Sequence, residues 1–258
     1  MRLPFIASDL LLVAASHASP FDGTWKIDPA SVKLPNRPDV QLLKGGTYSC
    51  TSCVPKVRVP ADGQVHPVAG AKTFDAISVT VTDPNTVTYS YQLKGQPVST
   101  TTESVSADHG TLTTKWHSTA TKSGEALDGS STSKRVGALP AGAHPVSGTW
   151  QAGAVDMSDN ASTMTLAVAG KSVTLSYPTG ESFTAQSGGP FVPLQGDPLG
   201  EMDAVVIKGP RVLELRTQRG GELANVSTLT VAADGRTLTG SSYNPKLKTT
   251  TTYTATKQ

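Results

Sequence analysis

The sequence predicts an all-β protein: two tandem small antiparallel up-and-down β-barrels. Three observations carry that expectation. The chain repeats itself once at an offset of about 125 residues, its apolar residues alternate with period two in short runs, and turn residues punctuate those runs. Composition narrows the field further. The 258 residues carry 22 Lys+Arg against 20 Asp+Glu, so the clustered basic excess of a nucleic-acid binder is missing. Low net charge beside 37% hydrophobic content argues against intrinsic disorder. Thr, Ser, Val and Gly abound, whereas the Glu, Lys, Leu, Ala and Met mixture of long helices is diluted.

The repeat sets the domain organisation. Gly23-Thr24-Trp25 recurs as Gly148-Thr149-Trp150. The run from His66 to Val79 matches Val192 to Ile207, Tyr89 to Gln96 matches Glu214 to Gly221, and Ser106 to Thr113 matches Ala232 to Thr239. Landmarks in one order at one spacing imply two copies of a unit of about 110–120 residues, an ordinary domain size. The expected division is residues 1–19 as a signal peptide, 20–138 as the first barrel, 139–146 as linker and 147–258 as the second barrel. The Pro- and Gly-rich stretch from Gly137 to Gly148 marks the joint.

Within each unit, alternation marks the strands. Asp75 to Val81, Thr86 to Leu93, Ser99 to Ser106 and Thr111 to Ser118 alternate in the first copy. In the second, the runs are Ser162 to Val168, Lys171 to Tyr177, Arg211 to Thr217 and Asn225 to Val231. Asp83-Pro84-Asn85, Lys94-Gly95, Asp108-His109-Gly110, Gly220-Gly221 and Asp234-Gly235 supply turn chemistry. Connections this short favour hairpins, and six to eight strands closed on themselves hide their edges as a barrel. An open sandwich is the competing architecture.

A Gly-x-Trp at the start of the first strand, followed by meander strands, resembles the lipocalin and calycin barrels. The chain also resembles uncharacterised exported bacterial proteins with a GTWK start. The lipocalin resemblance implies that Trp25 and Trp150 seal the barrel ends and that a basic residue of the last strand packs across each indole. Arg135 is the candidate to stack on Trp25, and Lys257 the weaker candidate for Trp150. A Thr-Asp-Tyr-type second motif is missing and each unit is short for a lipocalin, which argues against a roomy ligand cavity.

The first residues read as a leader. Arg2 precedes an apolar stretch, and the small side chains of Ser16 and Ala18 place cleavage near Ala18 or Ser19, although Asp9 interrupts the apolar run. The stretch falls short of the ~18–20 apolar residues of a membrane span. Export to the periplasm or medium is therefore expected, into a compartment where a cysteine pair stays oxidised.

Cys50-Thr51-Ser52-Cys53 admits three readings: half of a zinc site, a redox dithiol or a structural disulfide. A closed zinc site wants four ligands, and His66, His109, His117 and His144 show no ligand spacing. A redox pair belongs at a helix N-terminus, whereas these cysteines sit between strand-like runs. In the second copy Pro178-Thr179-Gly180 makes a turn at the matching place. Residues flanking a two-residue hairpin loop lie about 5.5 Å apart at Cα, inside the disulfide range. The disulfide is the preferred reading, worth at most about 2 kcal/mol for so small a loop.

No catalytic set, metal site or cofactor motif is expected. Asp75 and Asp203 fall at matching points and read as turn caps. Lys246, Lys248 and the threonines after them read as a solvated sheet edge. Tyr89, Tyr91 and Trp116 are the candidate ligand-binding residues, with Tyr89 and Tyr91 on one strand face. Their aligned counterparts Glu214 and Arg216 are charged, which favours an outward face. The function expected is non-catalytic binding of a small or extended lipid, sugar or peptide, in a barrel mouth or between the units. An envelope protein-interaction module with filled barrels is the alternative, and a hydrolase or redox enzyme built on a pair such as His66 and Asp75 comes third. Neither a nucleic-acid partner nor a membrane span is expected.

Overall fold

The computed structural model describes residues 18–258, so all of the expected leader except Ala18 and Ser19 lies outside the described residues. The chain is nearly all β. Its strands in order begin with β1 (Gly23–Ile27), β2 (Asp39–Lys44), β3 (Thr47–Cys50), β4 (Val57–Pro60) and β5 (Val65–Pro67). Next come β6 (Ala76–Asp83), β7 (Thr86–Leu93), β8 (Gln96–Val105), β9 (Thr111–Ser118) and β10 (Leu127–Val136). The second half opens with β11 (Gly148–Met157), one helical turn α1 (Asp159–Ser162), β12 (Thr163–Ala169), β13 (Ser172–Ser176) and β14 (Ser182–Gln186). It ends with β15 (Val192–Pro193), β16 (Glu201–Gly209), β17 (Val212–Arg219), β18 (Glu222–Val231), β19 (Thr237–Asn244) and β20 (Thr249–Lys257).

These strands form two antiparallel ten-stranded sheets, each curled into a nearly closed up-and-down barrel. Ten strands exceed the six to eight expected, because short strands at each seam were not visible as alternating runs. The seams are alike in the two barrels. Gly63 N–H donates to Val79 O at 3.0 Å, and Gly188 N–H to Val205 O at 2.8 Å. Both glycines sit at positive φ, 75° and 78°, which a side chain would oppose.

The barrels do not coincide with the sequence copies. In the first barrel the order is β4-β3-β2-β11-β10-β9-β8-β7-β6-β5; in the second it is β14-β13-β12-β1-β20-β19-β18-β17-β16-β15. Strand β1 thus lies between β12 and β20, and β11 between β2 and β10. Each copy gives its first strand to the other copy's barrel. Residues 139–146 are accordingly no interdomain linker: they join β10 to β11 at the closed end of the first barrel. The chain crosses between barrels at 28–38, which contains a 3-10 turn at Pro29–Ser31, and at 158–162.

The exchange also crosses the expected indole pairs. Arg135 lies over Trp150, 4.1 Å from the ring centroid, and Lys257 over Trp25 at 5.0 Å. Both indoles are buried, and each donates its Nε1–H at 2.8 Å to a carbonyl four residues earlier, Phe21 O or Val146 O. Arg135 further donates to His109 O, Ser147 O and Pro145 O at 2.6, 2.5 and 2.6 Å. Among the described residues, Lys257 Nζ donates to a single carbonyl, Pro20 O, at 3.3 Å. The glycine of each Gly-Thr-Trp follows from this crossing: a Cβ on Gly148 would meet Arg135 Nη1 at 2.5 Å, and φ there is 137°.

Register corrects two further expectations. Val79 pairs with Tyr89 just as Val205 pairs with Leu215, so the counterpart of Tyr89 is Leu215 rather than Glu214. A one-residue slip reverses every side chain. Tyr89 and Tyr91 therefore face the interior, and Tyr89 is only 2% exposed. Lys246 and Lys248 occupy the β19–β20 turn, and β20 is flanked by β1 and β19, so neither lysine guards an edge.

Arg135→Ala is expected to lower unfolding free energy by about 2–4 kcal/mol, since it strands three carbonyls and uncovers an indole. Lys257→Ala should cost about 1 kcal/mol or less. Urea denaturation checks the ranking; equal, sub-kcal losses would refute it.

Candidate binding site between the barrel mouths

The tryptophans close one end of each barrel, and the opposite ends, the mouths, face each other. Lys122 N–H donates to Glu181 Oε1 at 2.5 Å and Ser123 N–H to Thr179 O at 3.0 Å, which lays the β9–β10 loop on the mouth of the second barrel. Across the same junction Lys72 pairs with Glu222 at 3.7 Å.

Strand register layers the first interior. Ile77, Tyr91, Ser99 and Ser118 form the layer nearest the mouth. Val79, Tyr89, Thr101 and Trp116 lie beneath, followed by Val87, Glu103 and Thr114. Trp116 shares the inward face with buried Leu112 and lies across Gly129, where a Cβ would come within 2.1 Å of the ring. Tyr48 and Tyr89 pack with centroids 5.0 Å apart, and Phe74 meets Tyr91 edge-on at 5.0 Å.

Glu103 enters this aromatic interior with its partners supplied. It accepts from Gln41 Nε2 at 2.8 Å and from Tyr89 Oη at 2.9 Å. Gln41 in turn donates to Val146 O at 3.1 Å and accepts from Tyr48 Oη at 3.1 Å. Burial pushes the Glu103 carboxyl up, and the Gln41 and Tyr89 hydrogen bonds pull it part of the way back. Burial, reinforced by the Glu103 charge, lifts both Tyr48 and Tyr89 well above the phenol range and Tyr91 to about 12.

The second barrel has a different interior. Near Trp25 it is apolar, with Leu166, Val173, Leu175, Val205, Leu213, Leu229 and Leu238 buried together. Toward the mouth it turns polar. Thr217 Oγ1 donates to Asp203 Oδ1 at 2.6 Å, Arg219 pairs with Glu201, and Thr179 Oγ1 donates to Glu181 Oε2 at 2.5 Å. Asp203 is 6% exposed, and burial raises its carboxyl to about 6 against the Thr217 hydrogen bond. Burial also raises Glu201, opposed by the Arg219 charge. Asp203 is therefore an inward strand residue, not the expected turn cap. Asp75 does cap, accepting Lys94 N–H at 2.8 Å.

Three cavities meet at the junction and share walls. One of about 290 Å³ is lined by Phe74, Tyr91, Val98 and Leu199, with Ser118 and Ala120. A second, about 300 Å³, shares Ser118, Ala120 and Leu199 and reaches Tyr177, Glu181 and Arg219. The third, about 320 Å³, shares Thr73 with the first and carries Arg37, Lys72, Arg219 and Lys246 against Asp39 and Glu222. Apolar and cationic walls are thus contiguous.

Of the sequence candidates, Tyr91 lines the junction, Tyr89 is enclosed in the core, and Trp116 lies across Gly129 without lining any of the three cavities. Trp25, Trp150 and Arg135 act at the closed ends. Cys50 and Cys53 form a disulfide with Cα atoms 5.5 Å apart. Cys50 ends β3 and Cys53 lies in the six-residue loop before β4, so the bridge braces a longer loop than the two-residue hairpin expected. Cys53 also lines the charged cavity. His66 bonds Asp62 at 2.8 Å rather than Asp75. His117 and Asp128 pair at 2.7 Å on the outer face, each about half exposed, which is the setting of a solvated ion pair. Phe74, Leu199 and Lys72 escaped sequence reading because they sit in loops. Glu103 was legible in principle, two residues from inward Val105 on one face.

Asp203 generates a pH test. Its folded pKa lies above the unfolded value, so its contribution is fully present below pH ~4 and is lost as pH rises through about 6. Asp203→Asn should match the parent near pH 4 and exceed its stability at pH 8 by about 1–3 kcal/mol, measured by denaturant unfolding. An equal loss at both pH values would contradict this origin. Among the described residues no helix is long and apolar enough to cross a membrane. In comparisons with known proteins, no family model and no curated protein matches the chain.

Proposed function

We propose that the protein is an exported, non-catalytic binding protein that holds a small amphipathic anion at the junction of the two barrel mouths. One observation carries the reading: the apolar cavity at Phe74, Tyr91, Val98 and Leu199 shares a wall with the cavity holding Arg37, Lys72, Arg219 and Lys246. Lys72 and Lys246 share Glu222, and Arg219 pairs with Glu201. With Asp39 counted, the four cations keep an excess of one positive charge, which favours a negative head group, and the aromatic pocket beside them accepts its apolar body. Domain junctions and barrel mouths are common ligand sites. The leader-like N-terminus, the Cys50–Cys53 disulfide and the likeness to lipocalin-type and GTWK-start exported proteins support a periplasmic or secreted location.

A second reading has its own observation. Val40, Leu42 and Val136 are exposed on the outer face of the first barrel, beside a groove of about 350 Å³. That patch favours an envelope protein partner on the outside of the sheet.

Two fluorescent probes with the same rings test the first reading: anilinonaphthalene sulfonate, and uncharged N-phenylnaphthylamine. The folded protein should bind the sulfonate saturably, and Lys72→Ala with Lys246→Ala should weaken it about tenfold while sparing the neutral probe. Ala120→Trp, which fills the wall common to two cavities, should abolish both signals. Failure of either probe to bind, or signals unchanged by Ala120→Trp, would refute the junction site.

A further inference from the structure

The start of β1 is held by a contact that its internal copy lacks. Ser19 N–H donates to Asp22 Oδ2 at 2.7 Å, while Asp22 Oδ1 accepts Val168 N–H at 2.7 Å. In the copy the matching residues are His144 and Ser147. His144 N–H donates to Leu43 O at 2.9 Å, and Ser147 Oγ accepts Leu43 N–H at 2.8 Å. The two turns are otherwise alike: Asp22 N–H bonds Ser19 O at 3.0 Å, and Ser147 N–H bonds His144 O at 2.9 Å. A hydroxyl therefore suffices to receive the neighbouring strand's N–H. Among the described residues, the second carboxylate oxygen at position 22 serves the nitrogen of residue 19 alone. A neutral peptide N–H needs no charged acceptor, whereas an ammonium gains most from one.

We propose that the chain is cut between Ala18 and Ser19 and that the Ser19 ammonium so made pairs with Asp22, fastening the exchanged strand β1 into the second barrel. The cut is a hydrolysis: a leader peptidase adds water across the Ala18–Ser19 amide, leaving a carboxylate on Ala18 and an ammonium on Ser19. Ser16 and Ala18 supply the small side chains such an enzyme requires. The proposal rests on the export reading, and adds to it the site of the cut and its structural consequence. The strand that closes the second barrel then becomes fully anchored only after processing. Lys257 Nζ, on Pro20 O, is the other charged group that the described contacts bring to this turn.

The test uses the full-length chain with its leader, expressed in a bacterial host, followed by intact mass measurement of the recovered protein. A mass beginning at Ser19 is expected. Asp22→Asn in that protein keeps an oxygen for Val168 N–H and replaces the charged acceptor facing Ser19 with an uncharged amide NH2. An ammonium held by a carboxylate has a raised pKa, so its contribution is present below about 8 and lost above it. The variant should melt about 2–4 °C lower at pH 6, with the gap closing by pH 9.5, before lysine titrates. A gap of equal size at both pH values would mean a turn-capping role alone and would overturn the pairing. Export with a different N-terminus would overturn the cleavage site but leave export standing, whereas an uncut cytoplasmic product would overturn both.

Discussion

The stacking of a cation on a buried indole, at the closed end of each barrel, is the interaction on which the rest depends. Trp150 receives Arg135, and Trp25 receives Lys257, each from the strand immediately beside it. Because each indole arrives on a strand given by the other sequence copy, neither barrel is complete with the residues of its own copy. The exchange runs through two short crossings and ties the barrels together covalently at both. It also turns the mouths toward each other, so a junction lined by both barrels is a direct consequence of how the sheets close.

Duplication supplied two equal scaffolds, and their interiors then diverged. The first holds Tyr48, Tyr89, Tyr91 and Trp116 around a hydrogen-bonded Glu103; the second keeps an apolar base beneath Asp203, Glu201 and Arg219. Burying Glu103 is tolerable because Gln41 and Tyr89 both donate to it. Asp203 receives a hydroxyl donor from Thr217, and burial still raises its carboxyl to about 6. Facing mouths of unlike chemistry are what make the junction amphipathic.

Much of the architecture was legible in the residues. Period-two runs and turn residues gave all-β meanders, and the recurring Gly-Thr-Trp marked the closing strands. What pattern cannot carry is which barrel a closing strand joins, because Gly-Thr-Trp is identical in both copies and fits either slot. The Pro-rich stretch at 137–148 looked like a linker because a tight cap over Trp150 needs the same residues as an exposed connector. The face of Tyr89 is hidden in the sequence because the two copies of its strand share little similarity, and with period two a one-residue slip between them inverts every side chain. The junction was least legible, since Thr73, Phe74, Ala120 and Leu199 come from loops that only the meeting of the two barrels brings together.

Strand exchange is tested most directly by paired cysteines. Thr24 and Thr165 are partners across β1 and β12, with hydroxyls 3.0 Å apart. Were β1 instead to close its own copy's barrel, it would take the place of β11, where Thr149 faces Val40, and Thr24 would meet Val40. The account predicts that Thr24→Cys with Thr165→Cys forms a disulfide within the monomer, read by mass under non-reducing conditions, and that Thr24→Cys with Val40→Cys does not. The opposite outcome would contradict it.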